Sequence, residues 1–78
     1  MKNFTVWFEN SRGIRRPIGE ANSSTEVNKI IQLFLNQHNF KSYYTRIWRA
    51  ENEWWYDVGS HSEFFIVTGA DENFLKED

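Results

Sequence analysis

The chain has no cysteine, a single proline, four glycines and one methionine in 78 residues. Without cysteine it can build neither a disulfide framework nor a thiolate zinc site, a usage that agrees with a reducing, intracellular setting. A basic surplus is also missing. Nine Lys and Arg against eleven Asp and Glu leave a net charge of −2 and a pI near 5.6, whereas a generic polyanion binder carries a stronger basic footprint. No window approaches the roughly 20 consecutive apolar residues of a membrane span, and Met1 to Phe8 lacks the apolar run of a signal peptide. The expectation is a soluble, cytoplasmic protein with no membrane partner.

Catalytic signatures are absent as well. There is no glycine-rich phosphate loop, nucleotide fingerprint or paired-carboxylate motif. His38 and His61 fall on separate elements without ligand-like spacing, so no metal site is expected. Asp57, Ser60, His61, Ser62 and Glu63 include the residue types of a Ser-His-Asp system. Neighbours in one short turn do not aim at one another as nucleophile, base and orienter, and no nucleophile elbow or oxyanion hole accompanies them. They read as a turn whose side chains bond local backbone. The chain is expected to be no enzyme and to need no cofactor.

What the sequence has is aromatic residues, at 18% of the chain, with four tryptophans. Four indoles cannot all be fully buried in the one modest core that 78 residues allow. Eight of the fourteen aromatic residues and three of the four tryptophans lie between Ser42 and Thr68, a stretch that reads as three strands. With Glu51-Asn52 as a two-residue hairpin loop, Trp48 pairs with Trp55, Arg46 with Asp57, Ile47 with Tyr56 and Thr45 with Val58. A second turn at Gly59 to Ser62 places Phe65 beside Tyr56 and leaves Phe64 and Ile66 on the side of Trp55; a one-residue slip would exchange them for Phe65 and Val67. In either register the sheet is apolar on both faces, where an antiparallel sheet normally needs only one.

Upstream, Phe4, Val6 and Phe8 alternate with Thr5, Trp7 and Glu9 as a half-buried strand, with Trp7 opposite the core series. Asn10 to Gly13 is a turn, and Ile14 to Gly19 returns as an edge strand because Pro17 has no amide to donate. Arg12, Arg15 and Arg16 are the one dense basic cluster: either a solvated hairpin tip or a secondary anion or phosphate contact. Ser23 with Glu26 has capping-box spacing, so a helix should run from about Ser24 to His38. Its stripe is Val27, Ile30, Ile31, Phe34, Leu35 and His38, and Asn39 suits the left-handed position that ends it. Leu33 falls off the stripe. The order is ββαβββ, an α+β fold with one helix on an antiparallel sheet. It forms a single domain over 1–70, followed by an acidic tail, 71–78, expected to fray or to tuck Phe74 onto the domain in one helical turn.

One helix covers one sheet face. The other is the candidate site: Tyr44, Arg46, Trp48, Trp55, Asp57 and Phe64, with the arginine hairpin secondary. Three readings follow: a module that binds a protein partner, a nucleotide or single-stranded nucleic-acid binder using indole stacking and arginine contacts, or a homodimer whose greasy faces cover each other. A cysteine-free, acidic, single-domain chain of this size with no catalytic motif resembles, in character, the small proteins that phages and prophages encode to block host machinery, anti-CRISPR inhibitors among them. That resemblance implies inhibition of a host protein by surface occlusion, or in some members sequestration of a signalling nucleotide. It carries no site residues over.

Overall fold

A computed structural model describes residues 3–40, 45–59 and 62–76. The chain runs β1 (Phe4–Glu9), β2 (Arg15–Ala21), α1 (Ser24–Gln37), β3 (Arg46–Ala50), β4 (Glu53–Asp57) and β5 (Phe64–Thr68), closing on a 3₁₀ turn at Phe74–Lys76. This is the expected α+β order. The strands form one sheet in the order β2-β1-β5-β4-β3, antiparallel at every junction. The two hairpins are therefore joined by β5 pairing with β1, and α1 carries the chain from one edge of the sheet to the other. Among the described residues no helix is long and apolar enough to cross a membrane.

Local chemistry accounts for each boundary. Asn10 Oδ1 accepts from the N–H groups of Arg12 and Ile14, and Gly13 takes φ 77° to close the first turn. The register of β1 and β2 shifts between Val6 and Trp7, which pair with Gly19 and Pro17, so Ile18 is left over as a bulge. Pro17 sits on the edge strand as expected. Ser23 Oγ accepts from Glu26 N–H at 3.2 Å, while Glu26 reaches back to the Asn22 amide rather than to that of Ser23. At the other end Asn39 takes φ 54°. Its N–H bonds Asn36 O, and Phe40 N–H bonds Leu35 O at 2.9 Å: the two-bond Schellman closure.

Val27, Ile31, Phe34 and Leu35 pack on Val6, Tyr56, Val58, Phe65 and Val67 to form the core. Gly19 allows the helix close to β2, since a Cβ there would stand 3.1 Å from Ile30 Cδ1. His38, placed on the stripe by spacing, is exposed; its ring stacks on Phe34 at 4.1 Å and its Nδ1 lies 2.9 Å from Phe34 O. Leu33 is 61% exposed.

The β3–β4 register is the expected one: Trp48 opposite Trp55, Ile47 opposite Tyr56, Arg46 opposite Asp57. Tyr56 opposite Phe65 and Trp55 opposite Ile66 exclude the slipped alternative. The anticipated pair of Thr45 with Val58 is not formed, because the ladder starts at Arg46; the Asp57 carboxylate takes the Gly59 N–H and bends the chain out of the strand there. Glu51 and Asn52 both have positive φ, at 53° and 65°, the requirement of a type I′ loop. Glutamate is poorly suited to it. Glu51→Asn should raise stability by about 0.5 kcal/mol and the melting temperature by about 2–4 °C, and an unchanged or lower midpoint in calorimetry would refute the attribution.

The packed chain also runs on past the boundary drawn at residue 70. Phe74 is 1% exposed, its ring 5.2 Å from Phe4 and 5.7 Å from Trp54. Trp54 Nε1 donates to Asp71 O and Arg49 to Ala70 O. These bonds hold the backbone that leads to Phe74.

Candidate partner-binding face

Side chains alternate across a strand, so with Val6, Tyr56, Phe65 and Val67 under the helix, Trp7, Trp55 and Ile66 point to the opposite face. Registers place them side by side. Pro17 pairs with Trp7, Trp7 with Ile66, Ile66 with Trp55 and Trp55 with Trp48. One unbroken row of apolar residues therefore crosses all five strands on the face that lacks a helix. Its middle is dense: Ile66 is fully buried, and Trp48 at the end of the row is 37% exposed. Trp48 and Trp55 stack at 6.2 Å with planes 19° apart, and Phe64 meets both edge-on, at 6.1 and 5.6 Å.

The charges around this row are matched within the chain. Arg15 on β2 donates from Nε to Glu9 at 2.9 Å and from both terminal nitrogens to Glu53, at 2.8 and 3.1 Å, with its guanidinium 5.5 Å from the Trp55 ring centre. Because β2 and β4 are three strands apart, about 14 Å in a flat sheet, this strap requires the sheet to curl toward the aromatic side. The bulge at Ile18 supplies extra twist to the hairpin that does so. The Glu53 and Glu9 carboxylates raise the Arg15 pKa further above its already high ordinary value, so the strap stays cationic at any pH the fold survives. Arg46 donates to Asp57 Oδ2 at 3.0 Å, and the buried Asp57 also fixes the Gly59 amide. Trp7 Nε1 is satisfied by Thr68 Oγ1. The indole N–H of Trp55 is buried with no acceptor among the described residues.

Of the candidate site residues, Arg46, Trp48, Trp55, Asp57 and Phe64 are brought together on this face. Tyr44, and Ser60 and His61 of the turn weighed for nucleophilic chemistry, lie outside the described residues. The arginine trio is divided rather than gathered. Arg15 is the strap, Arg16 lies on the helix side with its guanidinium 5.7 Å from the Phe34 ring centre, and Arg12 is exposed at the turn. Alternation on β2 and the turn between them cause the division, so the three do not form one anion cradle. Trp7, Ile66 and Glu53 also belong to the face, and sequence reasoning does not group them with it. Trp7 opposite the core series is the available signal, but its neighbour on β5, Ile66, lies some 59 residues on in the chain.

Among the described residues no group of three or more His, Asp or Glu could hold a metal ion. Compared with family models, with curated proteins and with solved structures, the chain matches none.

Proposed function

We propose that this chain is a small non-catalytic binding protein, of the kind phages and prophages encode, that inhibits a host protein by laying its curled aromatic face on the target and occluding it. The observation that carries this reading is the unbroken row Pro17, Trp7, Ile66, Trp55, Trp48, apolar from one sheet edge to the other on the face opposite α1. Trp and Arg are among the residues that most often anchor interfaces, Trp because it buries a large rigid area and Arg because its planar fork pairs and stacks. Arg15 and Arg46 are engaged with carboxylates of their own chain, which favours a protein surface over a phosphate-rich ligand.

The test is affinity capture from a bacterial host with the wild type, Trp48→Ala and Leu33→Ala, followed by titration of the retained protein. Trp48→Ala should keep the circular dichroism and melting curve of the wild type and lose about thirtyfold in affinity, the effect of an interface anchor. Leu33→Ala, on the helix side, should bind as the wild type does. Equal binding by Trp48→Ala, or loss only in Leu33→Ala, would overturn the assignment of the face.

A further inference from the structure

The two edges of the sheet are built differently. β2 carries Pro17, a bulge at Ile18 and the charged Arg15, Arg16 and Glu20, the usual devices that keep an edge from pairing. β3 reads Arg-Ile-Trp-Arg-Ala and has no proline, glycine or bulge. Its arginines turn back on their own chain, Arg46 to Asp57 and Arg49 to the Ala70 carbonyl. Ile47 and Trp48 are left 36% and 37% exposed. Counting the ladder outward from the two-residue turn, Ala50, Trp48 and Arg46 face β4 with their backbone groups, so Ile47 and Arg49 direct N–H and C=O outward. No strand among the described residues meets them.

We infer that β3 pairs, antiparallel and edge to edge, with β3 of a second copy of this chain, joining two five-stranded sheets into one of ten. The strand is complementary to itself in the register that overlaps all five of its residues. Trp48 then lies opposite Trp48 of the second copy, Ile47 opposite Arg49 and Arg46 opposite Ala50. The outward backbone groups of Ile47 and Arg49 meet in two hydrogen-bonded pairs, the indoles face each other in the closely spaced non-hydrogen-bonded position, and no like charges are opposed. A slip of two residues one way opposes Arg49 to Arg49, and a slip either way shortens the overlap. On the helix side the pairing covers Ile47, which lines a groove with Ile31, Tyr56 and Val58 at the margin of the helix. On the other side it joins two aromatic rows end to end. The pairing rests on edge chemistry and stands whether or not the face binds a target.

A five-residue strand buries less than the roughly 800 Å² per partner of a stable interface, so association in the range of about 10 µM to 1 mM is expected. The experiment is sedimentation equilibrium of the full chain from about 1 µM to 1 mM, with residue-resolved amide hydrogen exchange at both extremes. The expected result is a monomer–dimer equilibrium in which the Ile47 and Arg49 amides exchange about twofold to tenfold more slowly at high concentration, according to where in that range the dissociation constant lies. Ile47→Pro, which removes one outward N–H, and Ile47→Lys, which places a charge beside the edge, should each leave a monomer, whereas Phe64→Ala should still dimerise. A mass that stays monomeric throughout, or a dimer in which those two amides remain unprotected, overturns the pairing, and the wild-type exchange decides even if Ile47→Pro does not fold. Dimerisation lost with Phe64→Ala but kept with Ile47→Lys would place the contact between the aromatic faces and overturn it equally.

Discussion

Phe74→Ala should cost about 3–5 kcal/mol, out of the roughly 4–12 kcal/mol that 78 residues supply. Urea denaturation should show a midpoint lowered in proportion, and at the low end of that stability range no cooperative transition remains. The size follows from where the ring sits. It is 1% exposed, edge-on to Phe4 at 5.2 Å and tilted against Trp54 at 5.7 Å, so its removal empties a site walled by the first strand and by β4. The chain leading to the ring is held by side chains of β3 and β4. Trp54 Nε1 is tied to Asp71 O and Arg49 to Ala70 O, so the cavity cannot collapse without breaking them, and cavities that cannot collapse are the costly ones. Leu75 is the control: 41% exposed, its replacement by alanine should change stability by less than about 0.5 kcal/mol. Phe74→Ala within about 1 kcal/mol of the wild type would mean that the segment after Ala70 contributes little to the fold.

Phe74 also shows where reading by pattern stops. The period-two run of β5 ends in Gly69-Ala70-Asp71, and the acidic residues that follow leave two outcomes open, a frayed tail or one turn that tucks Phe74 onto the domain; the 3₁₀ turn with a buried Phe74 is the second. Its partners are Phe4 and Trp54, 70 and 20 residues away. The features that are legible are local ones. The Ser23 cap, the Asn39 closure, the Glu51-Asn52 loop and the pairing of Trp48 with Trp55 each depend on residues within a few positions of one another. The order of β4 and β5 follows because one short turn links them. What pattern leaves open is which edge the first hairpin joins. β1 beside β3 would keep the same alternation, and only the β1–β5 pairing puts Trp7 next to Ile66 and turns an aromatic cluster into a row across the sheet. The arginines illustrate the same limit. Adjacent in sequence, Arg15 and Arg16 are sent to opposite faces by the pleat, and the partner that defines Arg15 lies 38 residues on, at Glu53.

Arg15→Ala should lower stability by about 2 kcal/mol, between the small value of an exposed ion pair and the larger cost of breaking a buried one. The side chains of Arg15, Glu9 and Glu53 keep 32%, 17% and 19% of their exposure, so both limits are tempered. Removal of the guanidinium leaves two partly buried carboxylates without their shared cation and strips the cover from Trp55. Arg15→Lys should recover less than half of the loss, since a single ammonium cannot reproduce the two-pronged contact with Glu53 together with the bond to Glu9. The pH behaviour has a defined sign. With its pKa raised by Glu53 and then Glu9, Arg15 contributes stability that is complete below the unfolded-state value and is lost only as pH rises through the folded one, beyond the range in which the protein survives. Its contribution should be flat across neutral and mildly alkaline pH. A double-mutant cycle of Arg15→Ala with Glu53→Gln should return a coupling of about 1 kcal/mol, and acrylamide should quench tryptophan emission more strongly once the strap is gone. Because the strap holds the curl of the face, Arg15→Ala should also weaken target binding by loosening a surface that is otherwise set in its bound shape. A coupling near zero, or wild-type stability in the Arg15→Lys variant, would mean that the bulge at Ile18 sets the curvature alone and that the charges merely decorate it.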